Sequence, residues 1–246
     1  MKLAYFAAAL AALAAGQAAQ AGGSHASAHA EPLLSEAKEG IAPDTDIRSV
    51  QASRSGGYVT FRMVTGGKAG STVPAATGSL GGAGVQAYVW PLSLDPSAAG
   101  FEGGSGTLAL VATAHPDFDD TPLFDENGDG DLANDGAGWH SHWVVLTPND
   151  GCGEGMLSVK DIPEGATPAL PATWPGLPLY IDSPGYSPVL NGKEVSLTVP
   201  LAAEALAFDG VTAGLQVNAN IHAPLLCVTD VFDIASGDLS LPGKLE

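Results

Sequence analysis

Short apolar or alternating β-rich runs, separated by turn and loop segments rich in glycine and proline, constrain this chain more than any other feature. Ile47-Arg48-Ser49-Val50-Gln51-Ala52 alternates, Ser55-Gly56-Gly57 turns, and Tyr58 to Val64 alternates again. Side chains two apart in a strand share a face, so this pattern predicts two half-buried strands joined as a hairpin. Val85 to Trp90, Thr107 to Ala114 and Trp143 to Leu146 are further β-rich runs, the first and last stopped by Pro91 and Pro148. Met156 to Lys160, Glu194 to Val199, Val211 to Ile221 and Leu225 to Phe232 complete the set. Gly66 to Gly84 is a glycine-rich loop and Pro163 to Pro188 a proline-rich excursion poor in ladder donors. Helical spacing is confined to Leu33–Glu39, where one or two turns are expected. The fold class that follows is all-β: one antiparallel β-sandwich or jelly-roll-like domain over 46–246, with long Gly/Pro-rich loops.

The N-terminal residues carry the pattern of an export signal. Lys2 precedes an apolar run from Leu3 to Ala15, and Ala19-Gln20-Ala21 fits an A-x-A cleavage site. The expectation is a signal peptide over 1–21, a flexible segment over 22–45, and a periplasmic or extracellular protein without a membrane span. In an oxidising compartment the two cysteines, Cys152 and Cys227, are expected to pair. The chain holds 27 Asp and Glu against 9 Lys and Arg, a formal charge of −18. That excess disfavours nucleic acid and anionic membranes as partners and favours divalent cations.

No lysine or arginine lies between Lys68 and Lys160, yet Asp117 to Asp135 packs eight acidic side chains. Crowded carboxylates repel unless a cation sits among them, and the local sequence supplies no cationic side chain. Asp125-Glu126-Asn127-Gly128-Asp129-Gly130 matches positions 1, 3 and 5 and the turn glycine of the D-x-[DN]-x-[DN]-G pattern. The segment resembles the calcium loops of EF-hands and dockerin-type repeats. That resemblance implies a calcium site from Asp125, Asn127 and Asp129, with Asp131 and Asp135 as further ligands. Position 12 is Gly136 instead of the bidentate glutamate, and the flanks are not helical, so a single structural loop is expected. The opening hairpin, Asp46 to Val64, resembles the first strands of secreted sandwich modules of the DOMON and carbohydrate-binding type.

His140 and His142 flank Ser141 at the start of the Trp143–Leu146 run. Two imidazoles on one strand face make half a site for zinc or copper. His115 and His222 end other predicted strands and are the candidate third ligands; Asp117 and Glu154 are the carboxylate candidates. Binding requires neutral imidazoles, so at the unperturbed pKa affinity would fall as pH drops through about 6.5. Trp139 and Trp174, in Gly- and Pro-rich loops, are candidates for a glycan-stacking platform, whereas Trp90 and Trp143 read as core. No G-x-S-x-G elbow, P-loop, H-E-x-x-H or dinucleotide fingerprint is present. The expected function is an exported, calcium-stabilised, non-enzymatic protein that binds a metal or small ligand. The alternatives are a carbohydrate- or surface-binding module and a histidine–metal enzyme.

Overall fold

A computed structural model of the chain describes residues 27–75, 77, 81–115, 138–161, 186–203, 205–219 and 224–246. Fourteen strands and two short 3-10 turns make up the regular structure of these residues. The strands are β1 (Ser27–His29), β2 (Leu33–Leu34), β3 (Ile47–Ser55), β4 (Tyr58–Thr65), β5 (Gly84–Pro91), β6 (Thr107–Ala114) and β7 (His140–Pro148). They continue with β8 (Leu157–Val159), β9 (Val189–Asn191), β10 (Glu194–Pro200), β11 (Leu206–Phe208), β12 (Val211–Val217), β13 (Leu226–Ile234) and β14 (Gly243–Leu245). The chain is therefore all-β, and every pairing between these strands is antiparallel.

The hairpin predicted around Gly56-Gly57 forms as β3 and β4, with Ser55 opposite Tyr58. β10 pairs with the far side of β4 and β9 with β10, while β1 and β2 lie in succession along the outer edge of β3. The other large sheet closes on itself as a barrel in the order β12-β13-β8-β7-β6-β5. Closure gives every strand two neighbours and removes the free edges that an open sheet must protect. Where the sequence suggested a sandwich or jelly roll, the structure has an open sheet packed on the wall of this barrel.

Two apolar clusters result, and strand alternation divides the residues between them. The larger lies between the open sheet and the barrel wall. It takes Val50, Ala52, Val59, Phe61 and Met63 from the sheet, and Tyr88, Trp90, Leu108, Leu110, Ala112 and Trp143 from the barrel. The smaller fills the barrel interior with Val85, Ala87, Val89, Ala109, Val111, Val211, Ala213 and Leu215. Both faces of β5 and β6 are thus buried, which accounts for their near-continuous apolar runs. Trp90 and Trp143 are core residues at 0% and 3% exposure.

Leu33–Glu39 does not form a helix. Leu33 and Leu34 pair with Val50 and Ser49, and Leu33 packs on the larger core. Pairing of two residues with an open strand edge, with Leu33 packed on the core, outweighs the weak preference of so short a segment for helix. The chain from Ser27 onward is fastened to the body at several points. The Lys38 ammonium donates to the Asp233 carboxylate and to the Ile234 carbonyl at 2.8 Å, and the Ile47 amide donates to Asp233 Oδ2 at 2.8 Å.

Cys152 and Cys227 form a disulfide with Cα atoms 5.5 Å apart, closing a 75-residue separation. Its place is informative. β8 and β13 meet at one residue pair, Cys227 opposite Ser158, whereas the β12–β13 and β6–β7 ladders each run the length of their strands. The covalent link sits beside the thinnest seam of the barrel.

Candidate metal centre

The centre is built by one hairpin. β6 and β7 run antiparallel with Thr113 opposite His140 and Val111 opposite His142. Alternation then sends Ala109 and Val111 of β6 and Val144 and Leu146 of β7 into the barrel interior. His140, His142 and Thr113 share that face by register, and His115, one residue beyond the end of β6, continues it. A chain that ends one strand on a histidine and begins its partner with His-x-His therefore gathers three imidazoles at one end of the barrel.

His115, His140 and His142 each offer a ring nitrogen, and these nitrogens all lie within 4.8 Å of one another. The rings meet edge to face, with centroids 4.7 Å apart for His115–His140 and 4.9 Å for His140–His142. His115 and His140 are buried at 7% and 4% exposure, and His142 is partly exposed. A tetrahedral ion with bonds of about 2.0–2.1 Å holds its donors about 3.3 Å apart. Side-chain adjustments of about 1 Å would bring this group to that spacing.

The electrostatics favour the neutral, metal-binding form of the rings. Burial, reinforced by the neighbouring His142 and His115, holds the His140 pKa well below the usual imidazole value; the Gly138 carbonyl opposes this only in part. Burial, then the proximity of His115, pushes His142 down to about 3. The unperturbed value assumed from sequence does not apply, because burial disfavours the charged rings and they would repel one another if charged.

Among the described residues, Gly138 and Thr113 orient His140. Its Nδ1 lies 2.8 Å from the Gly138 carbonyl oxygen and its Nε2 3.1 Å from the Thr113 hydroxyl. A carbonyl only accepts, so Nδ1 carries the hydrogen and Nε2 presents its lone pair. Ring orientation by a backbone carbonyl is the usual support for a metal-binding histidine. Sequence reasoning missed Thr113. Only the strand register, which pairs it with His140, could have singled it out.

The remaining candidates fall elsewhere. His222 lies outside the described residues, as do Asp117 and the calcium set Asp125, Asn127, Asp129, Asp131 and Asp135. Glu154 is exposed and does not belong to the histidine group. Trp139 is half-buried; its ring lies 4.9 Å from that of Tyr88, and its Nε1 donates to the Gly70 carbonyl at 3.3 Å. Trp174 is outside the described residues. No helix among the described residues is long and apolar enough to cross a membrane. The described residues therefore contain one group of three histidines that could hold a metal ion. No protein-family model matches the chain, and neither a curated protein nor a solved structure is similar to it.

Proposed function

We propose that the chain is an exported, non-enzymatic metal-binding protein in which His115, His140 and His142 hold Zn²⁺ or Cu²⁺. The convergence of three ring nitrogens within 4.8 Å, on adjacent strand ends of a closed barrel, carries this reading. Imidazole suits zinc and copper, and the suppressed basicity of His140 and His142 keeps their rings unprotonated at neutral pH. Titration calorimetry on tag-free protein tests it. Wild type should bind close to one Zn²⁺ or Cu²⁺ per chain, and the His140→Ala, His142→Ala double variant should not. Equal binding by both proteins would refute the site.

The donor count among the described residues also supports a second reading, a metal-dependent enzyme. Three protein ligands are typical of catalytic zinc, which keeps a fourth position for water or substrate, whereas structural sites are closed by four. Turnover that is lost with the metal and restored by its return would select this reading. Calcium in the acidic Asp125–Asp135 segment is a separate proposal resting on the D-x-N-x-D-G spacing. Its role would be structural, between the β6 and β7 ends that carry the histidines.

A further inference from the structure

The metal centre makes no use of the outer face of the open sheet. Alternation turns Phe61, Met63 and Leu197 into the larger core, so their neighbours along β4 and β10 face away from the barrel. Register sets Ser53, Thr60 and Thr198 in a row across β3, β4 and β10. Tyr58 stands one row to one side, and Arg62, opposite Ser196, one row to the other. Tyr58 is 55% exposed, and Val189, opposite Ser196 on β9, is 61% exposed. The Thr60 and Thr198 hydroxyls bond each other at 2.8 Å. That bond uses one of their two hydrogens and leaves the other to donate to a ligand.

Charge is divided unevenly along the chain. The segments that build the open sheet, 27–75 and 186–203, hold six Lys and Arg and six Asp and Glu. Of 9 basic and 27 acidic residues that leaves 3 and 21, so the rest of the chain carries the whole formal charge of −18. Between Ser49 and Ser55 and along β4 and β10, the charged residues of the outer face are Arg62 and Glu194, 3.8 Å apart and each about half exposed. A neutral face on a strongly acidic molecule does not suit polyanions, which the remainder repels. Its size narrows the partner further. Three long strands about 4.8 Å apart, with about seven residues each rising about 3.4 Å, give roughly 350 Å². A stable protein partner needs about 800 Å² per side, and a small ligand needs a pocket that encloses it. A long neutral glycan needs neither, because it adds modest contacts at several points. Its C–H faces stack on an aromatic ring, and its hydroxyls exchange hydrogen bonds with hydroxyl and guanidinium groups. We propose that this face binds a neutral polysaccharide, with Tyr58 as the stacking ring and Thr60, Thr198, Ser196 and Arg62 as the hydrogen-bonding groups beside it. The site lies on the side of the sheet away from the barrel and is independent of the histidines.

Depletion of the protein from solution by insoluble cellulose, chitin, mannan and starch tests this. Wild type should bind at least one of the four saturably, and added salt should not weaken the binding, because the face carries no net charge. Tyr58→Ala should bind about tenfold more weakly, the upper range for one aromatic contact, whereas Tyr58→Phe keeps the ring and should bind like wild type. Thr198→Arg, which lays a long side chain over the hydroxyl row, should also weaken binding. Tyr58 and Thr198 are exposed, so these variants should keep the wild-type melting temperature. The His140→Ala, His142→Ala variant should bind polysaccharide like wild type, which separates this site from the metal reading. Binding to none of the four polysaccharides would overturn the inference, as would wild-type binding by both Tyr58→Ala and Thr198→Arg. Sedimentation showing a wild-type dimer that Tyr58→Ala dissociates would make the face a contact between copies of the chain and likewise refute it.

Discussion

At the scale of single residues, the centre depends on proximity and on burial. His115, His140 and His142 contribute one nitrogen each, so removing any one should weaken Zn²⁺ affinity by at least about tenfold, a typical loss even for partners that only support a metal ligand. Calorimetry on the three single alanine variants checks this. The pKa shifts give a second prediction, for the metal-free protein. His140 and His142 are less basic in the folded chain than in the unfolded one. Below about 6.5 the unfolded state therefore takes up protons that the folded state refuses, and stability falls with falling pH. The full contribution is present above about 6.5, and each histidine costs up to about 1.4 kcal/mol per pH unit below it until its folded pKa is reached, about 3 for His142. Urea unfolding between pH 7 and 5 measures the slope. Replacing both histidines with glutamine should flatten it, and bound zinc should preserve affinity to lower pH than free imidazole would allow.

Among the elements, the β8–β13 seam is the place where the barrel can open. Chain-entropy arithmetic over the 75-residue separation gives the disulfide about 4 kcal/mol of stabilisation. The Cys152→Ser, Cys227→Ser variant should lose roughly that much in a denaturant titration. Amide exchange should rise first around Ser158 and Cys227, where one residue pair joins the strands. The N-terminal arm offers a second test. Asp233 is buried and accepts from both Lys38 and the Ile47 amide, so Asp233→Ala should cost roughly 2–4 kcal/mol by leaving buried donors unpaired. Much at this scale was legible in the sequence. The β3–β4 hairpin followed from alternation around Gly56-Gly57, and the His140/His142 pair from spacing two in a strand. Other features depend on long-range pairing that local sequence does not encode. Closure of the barrel requires β5 to find β12, which begins 120 residues beyond the Pro91 that ends β5. The same pairing logic hid Thr113, whose importance lies in standing opposite His140. Leu33–Leu34 was misread because a tertiary contact overrode a weak local preference.

For the whole molecule, the two proposed divalent ions would offset part of a formal charge of −18. If calcium occupies the Asp125–Asp135 segment, free calcium at about 100 times its Kd should stabilise the native state by roughly 2.7 kcal/mol. Asp129→Ala should abolish that gain, and differential scanning calorimetry with and without chelator measures both. The two proposed sites are separable. Chelation that removes calcium should lower the melting temperature while leaving the three histidine ligands in place. The central claim is that His115, His140 and His142 are ligands to one ion. X-ray absorption spectroscopy of the zinc-loaded protein tests it most directly, because imidazole gives a distinctive multiple-scattering pattern. The account predicts three imidazole nitrogens at about 2.0–2.1 Å plus one further oxygen donor, falling to at most one imidazole in the His140→Ala, His142→Ala variant. A shell of oxygen donors alone, or a wild-type spectrum unchanged by the double substitution, would contradict it.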